Sequence, residues 1–194
     1  MVKPPTSLPH IQVILGSTRE GRFGLTVANW FMSIAAARED IDAELIDLRD
    51  WPLPFFNHPK PPASGDIAPE ARDWSAKVSE ADGYVLITPE YNRGYPAVLK
   101  NALDHLYEEW RSKPVAFVGY GTSAGGARAI GQLHHVVIEL NMIPVRNDIA
   151  LVSAHRLFDD DGNLKEERFN NTANALLDQL APLANALAVL RSKG

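Results

Sequence analysis

Five short apolar runs, each followed by a stretch of helical character, constrain this chain more than any other feature of its sequence. The runs occupy residues 11–15, 43–48, 83–88 and 114–120, with a fifth inside 142–151. Continuous apolar runs of this length suit strands buried on both faces, as in parallel sheets. In the stretch 23–38, Leu25, Val27, Ala28, Phe31, Met32 and Ala35 recur at helical spacing. Further helices are expected over 69–79, 96–110, 124–140 and 164–191, the last interrupted near Pro182. Strand and helix in alternation predict an α/β fold: a five-stranded parallel sheet, right-handed crossovers, and helices on both faces. In such a sheet ligands bind at the carboxyl ends of the strands, near the point where strand order reverses.

A chain of 194 residues suits one domain, read here as 1–194, with 1–9 expected to be a disordered lead-in. The formal net charge is −5 and the pI about 5.7. That balance argues against nucleic acid and anionic membrane surfaces as partners, since both select concentrated basic faces. The chain contains no cysteine. Disulfides, iron–sulfur clusters and cysteine nucleophiles are therefore excluded, and a reducing, cytoplasmic setting is expected. No membrane-spanning run is expected from the sequence.

Three loops carry the chemistry. The first, residues 16–24, contains three glycines, the hydroxyls of Ser17 and Thr18, and the guanidinium groups of Arg19 and Arg22, and runs through Phe23 and Gly24 into a helix. Glycine permits a tight turn, the helix start offers free N–H groups, and arginine supplies charge-assisted donors; together they suit a phosphate dianion. No lysine follows in the manner of an NTP-hydrolysing loop. The second loop, Pro89-Glu90-Tyr91-Asn92 through Pro96, joins a rigid irregular backbone to two tyrosine faces. A planar heterocycle such as a flavin needs that mixture. The third loop contains Ser123, Gly125 and Gly126 and has three readings. It can contact the other edge of a flavin, its N–H groups favouring the reduced, negatively charged ring. It can be a plain turn. It also fits the G-x-S-x-G nucleophile elbow, with Asp148 and His155 following in the order a serine esterase uses, though no His-Gly-Gly-Gly oxyanion segment is present.

Gly16-Ser17-Thr18-Arg19, Pro89-Glu90-Tyr91-Asn92 followed by Leu99-Lys100-Asn101-Ala102-Leu103-Asp104, and Ser123 to Arg128 resemble, in order and spacing, the NADPH-dependent FMN reductase family of the flavodoxin-like superfamily. The resemblance implies a flavodoxin-like fold. It implies that Ser17, Thr18, Arg19, Arg22, Phe23 and Gly24 hold the FMN phosphate. Pro89, Glu90, Tyr91 and Asn92 would border the ring, and Ser123, Gly125 and Gly126 its other edge. Many members carry serine and asparagine where Phe23 and Gly24 fall. The implied chemistry is hydride transfer from NADPH or NADH to FMN, then reduction of a small acceptor such as a quinone, free flavin, azo compound or metal oxyanion, with no catalytic side chain. The implied assembly is a homodimer or homotetramer. A flavodoxin-type electron carrier is the alternative from another class.

Other signals are weaker. His134 and His135 are adjacent on an expected helix, so they diverge and cannot share a metal. His135 and Glu139 are four apart but make only two ligands. Asp159-Asp160-Asp161-Gly162 lacks the spacing of a calcium loop and reads as a solvated turn. Leu103, Tyr107 and Trp110 are expected on one helical face, as core or interface. The proline-rich stretch 51–62 reads as a long loop that covers a neighbouring site or simply packs.

Overall fold

The computed structural model describes residues 8–191; the greater part of the expected disordered lead-in lies outside them. A parallel sheet of six strands runs in the order β2-β1-β3-β4-β5, with β6 also paired to β4. The strands are β1 (His10–Leu15), β2 (Asp42–Asp47), β3 (Gly83–Pro89), β4 (Pro114–Gly121), β5 (Ile143–Pro144) and β6 (Ile149–Val152). The order reverses between β1 and β3, so the loops that follow these two strands diverge and leave a crevice at their carboxyl ends.

Side-chain alternation in the central strands builds two cores. Val13 and Leu15 of β1, with Val85 and Ile87 of β3, face α1 (Gly24–Ala35) and α6 (Glu167–Arg191). Ile14, Tyr84, Leu86 and Phe117 face the opposite way, toward α2 (Arg72–Ser79), α3 (Ala97–Asp104) and α4 (Ala127–Glu139). The result is the expected three-layer, flavodoxin-like arrangement.

Five expectations need correction. The fifth strand is two strands, β5 against the start of β4 and β6 against its end. Pro144, the last residue of β5, offers no N–H to the ladder, and between the two strands Asp148 turns outward to bond His134 at 2.9 Å. The helix expected to reach residue 110 stops at Asp104. Beyond it the chain coils so that Trp110, fully buried, packs 4.9 Å from Tyr84 and donates from its indole nitrogen to the Leu103 carbonyl. Trp110 is therefore core, and burial of that large ring offsets the loss of helical turns. The helix α4 begins at Ala127 rather than 124, because Gly125 and Gly126 hold φ of +60° and +89°.

The terminal helix is not interrupted either. It begins at Glu167 and runs unbroken past Pro182, which sits on the exposed face where the freed Asp178 carbonyl can meet water. By length and composition α6 is apolar enough to cross a bilayer, a correction to the expectation of no such run. Its apolar stripe, Ala173, Leu176, Leu177, Leu180 and Ala184, is buried in the core beside α1. A short helix, α5 (Ala154–Leu157), follows β6. The acidic turn behaves as expected: the Asp159 carboxylate accepts from the Asp161 and Asn163 amides.

Candidate functional site

The loops after β1, β3 and β4 meet at the carboxyl edge of the sheet because their strands are neighbours. Gly16 ends β1 with its N–H on the Ile87 carbonyl at 2.9 Å. A Cβ there would lie 2.8 Å from the Leu99 side chain, so only glycine lets the loop start so close to α3. Ser17 follows, fully buried, its hydroxyl 2.8 Å from the Tyr91 hydroxyl. That bond ties the first loop to the second.

Thr18 and Arg19 lie at the surface of the first loop, and the Arg19 guanidinium has no partner among the described residues. Arg22 has a different fate. Its side chain is only 4% exposed and its Nη2 pairs with Asp47 at the end of β2. Its Nε and Nη1 are buried with no hydrogen-bond acceptor. An unsatisfied buried guanidinium donor is costly, so two such donors mark a place built for an anion. Phe23 turns away from the loop and packs edge-on to Phe158 and near Tyr120. Gly24 is buried where any Cβ would overlap the Tyr120 hydroxyl.

Tyr120 is the principal site residue that the sequence does not single out, since a tyrosine at a strand end gives no local signal. Its hydroxyl is buried without a hydrogen-bond partner. Burial, reinforced by the neighbouring Tyr91, raises its pKa above the ordinary phenol range, with Ser17, Arg22 and Arg19 opposing.

In the second loop Pro89 closes β3, and the Tyr91 and Gly94 backbones exchange two hydrogen bonds of 2.8 and 2.9 Å. The two residues between them, Asn92 and Arg93, both have positive φ, as a tight hairpin turn requires. Asn92 tolerates this region better than most residues. Tyr91 and Asn92 are exposed at the rim. Glu90 lies between the second and third loops. Its amide donates to the Tyr120 carbonyl, and its carboxylate accepts from the Arg128 amide and guanidinium. The start of α4 is thus capped by a side chain from another loop.

In the third loop Ser123 is exposed while Gly125 and Gly126 are buried. A Cβ on Gly125 would sit 2.7 Å from the Val152 amide, and one on Gly126 2.7 Å from the Tyr120 amide. Beside this loop is a small cavity of about 130 Å³ bounded by Phe23, Tyr120, Thr122 and His155. The esterase constellation does not assemble, because Asp148 bonds His134 rather than His155. His134 itself packs at a tilt against Phe117, 4.7 Å between ring centres.

The segment 100–104 acts as a strap. Lys100 pairs with Asp104 one turn away. The Asn101 amide accepts from the Phe56 N–H at 2.9 Å and donates to the Pro54 carbonyl at 2.9 Å. His105 Nε2 donates to the same carbonyl. The proline-rich loop is therefore fastened to α3, with Phe55 left 79% exposed between its anchors.

Comparison with known proteins agrees with this geometry. The family model for NADPH-dependent FMN reductases matches residues 9–156. An NAD(P)H-dependent FMN reductase of Schizosaccharomyces pombe is 45% identical over 137 residues, covering 69% of this chain and 68% of the relative. A 2-hydroxy-1,4-benzoquinone reductase of a Burkholderia species is 29% identical over 184 residues, covering 88% and 93%. In fold, the chain resembles the flavoenzyme NAD(P)H:(acceptor) oxidoreductase FerB of Paracoccus denitrificans, with a TM-score of 0.72 at 21% identity over 89% of this chain and 97% of that one.

Proposed function

From the premise that this chain belongs to the NADPH-dependent FMN reductase family, we propose that the carboxyl-edge crevice is its FMN site and that a quinone-type small molecule is its acceptor. The family uses FMN and NAD(P)H, and this chain is an FMN-dependent oxidoreductase. The residues present fit FMN: two buried Arg22 donors lack acceptors, and glycines at 24, 125 and 126 let the loops pack against Tyr120 and β6 where any Cβ would clash. The two unsatisfied donors of Arg22, Nε and Nη1, are the observation that carries the assignment of the phosphate end.

Arg19, Arg22 and the 17–20 backbone would hold the phosphate, with Ser17 fixed by Tyr91. Pro89 to Asn92 and Ser123 to Gly126 would flank the ring on two sides. When bound, FMN supplies the redox chemistry, accepting hydride from the nicotinamide and passing electrons to the acceptor. The protein contributes position and electrostatics. The amides of the first loop, Arg19 and the buried Arg22 would stabilise negative charge, and the exposed Tyr91 rim leaves one side open for nicotinamide and acceptor to enter by turns. Glu90 is held by Arg128 and serves position rather than proton transfer. The single-domain reading is supported by the one sheet that carries both cores. Cytoplasmic residence and assembly into a homodimer or homotetramer belong to the same proposal and rest on the family resemblance and the cysteine-free sequence.

The test is a visible spectrum of the purified protein titrated with FMN, followed by anaerobic NADPH and then a benzoquinone. Flavin bands that bleach with NADPH and return with quinone are expected. A protein that neither binds FMN nor oxidises NADPH overturns the reading. Bleaching without quinone turnover would point instead to an electron carrier.

A further inference from the structure

Arg49 stands outside every motif that marks the site, yet its guanidinium makes two bonds onto the first loop. Its Nε donates to the Thr18 carbonyl at 3.2 Å and its Nη2 to the Arg19 carbonyl at 2.9 Å. The residue sits in a single 3₁₀ turn, Leu48–Asp50, directly after β2. Asp47 governs that turn. One of its oxygens accepts from the Arg49 amide at 3.0 Å, and the other pairs with the buried Arg22. Two arginines from different segments are thus set by one carboxylate.

Peptide planarity gives the pair of carbonyl bonds a consequence. In a trans peptide the C=O and the following N–H point in opposite directions. Pinning the Thr18 and Arg19 carbonyls outward, onto Arg49, turns the Arg19 and Glu20 amides to the other side of the loop. Neither amide has an acceptor among the described residues. Gly21, at φ +62°, then reverses the chain so that the Arg22 amide returns to the Arg19 carbonyl at 3.2 Å. That carbonyl accepts twice, which fixes its plane firmly.

We propose that Arg49 is a positioning residue for the phosphate group of the flavin. It orients two backbone N–H donors of the 17–22 loop without touching the ligand. The inference rests on the reading of this crevice as the FMN site. A planar fork that bonds two carbonyls at once is a task for guanidinium; an ammonium can hold one of them but not both in that geometry. The role differs from that of a surface charge, because an exposed charge acts through space and is screened by salt.

The experiment compares FMN with riboflavin, which lacks the phosphate. Dissociation constants for both are measured by flavin fluorescence on wild type, Arg49→Ala and Arg49→Lys, at low and at 0.5 M salt. Arg111→Ala, at the far edge of the molecule, serves as the control for loss of one surface arginine. Arg49→Ala is expected to weaken FMN about tenfold, on the order of one lost charge-assisted donor, and riboflavin less than twofold. The FMN loss is expected to persist at high salt, with Arg49→Lys recovering only part of it. Equal losses for both flavins would overturn the proposal, as would full rescue by lysine or disappearance of the effect in salt. If wild type binds neither flavin, the FMN reading itself fails, and the Arg49 inference with it. If wild type binds FMN and Arg49→Ala binds it equally well, only the Arg49 inference fails.

Discussion

At the amino edge of the sheet charged groups have found partners, whereas at the carboxyl edge several donors have none among the described residues. The amino edge holds His10 between Asp42 and Glu44, Lys77 between Glu44 and Glu80, and Arg191 on Asp82. Lys113 is buried there, its ammonium donating to the Val78 and Ser79 carbonyls and the Tyr84 hydroxyl at 3.1–3.2 Å. Those carbonyls end α2, so the cation also meets the negative end of that helix. The carboxyl edge instead carries the free Arg19 guanidinium, the buried Arg22 donors and the Tyr120 hydroxyl. It has positive φ at Gly21, Asn92, Arg93, Gly125 and Gly126, against Ser112 and Asn141 at the amino edge. One end is closed by charged groups that have partners. The other holds unsatisfied donors and strained backbone in place, as binding sites do at some expense of stability.

The comparison can be broken most severely at Gly126. Alanine there must adopt φ near +89° and meet the Gly119 and Tyr120 backbones. Left-handed strain and overpacking together are expected to cost about 4 kcal/mol. Urea denaturation of Gly126→Ala checks this; an unchanged midpoint would mean that the carboxyl edge yields rather than resists.

The next largest effect belongs to Lys113. Burial, with Arg191 adding, lowers its pKa from 10.5 to about 8, while Asp82 and Glu109 oppose. Between these values the unfolded chain binds more protons than the folded one, so stability must rise with pH across that window. The penalty is full below pH 8 and vanishes above 10.5; it amounts to about 3 kcal/mol. Denaturation from pH 7 to 10.5 should show that rise in wild type and lose it in Lys113→Met. At pH 7 the variant should equal or exceed wild type, because an apolar chain replaces a buried ion. A parallel pH profile in the two proteins would show that the amino edge is not closed around a penalised cation.

The smallest effect sharpens the contrast. Glu90→Gln removes the charge that holds Arg128, whose side chain is 41% exposed. Solvent screening limits the loss to about 1 kcal/mol or less. Thermal melting is expected to fall by only a few degrees, and a larger drop would place Glu90 with the tightly paired groups of the amino edge.

Much of the architecture was legible in the sequence because the relevant signals are local. Apolar runs and helical spacing report burial along a few consecutive residues, which is enough for strand number to within the split fifth strand. Glycines at 16, 24, 125 and 126 announce close approaches of backbone, and the three loops follow from strand order in this fold class. The segments at 16–19, 89–92 and 99–104 also carry the resemblance to the family. Tertiary structure alone decided the partners. Arg22 and Asp47 are 25 residues apart, Arg49 and Thr18 31, and Asn101 and Phe56 45. The strap that fastens the proline-rich loop and the fork that turns the phosphate loop depend on such distant pairs. So does the separation of His155 from Asp148, which removes the esterase reading. A side chain's type and spacing fix what it can bond. Which bond it makes depends on what packing brings beside it, and short-range periodicity carries no record of that.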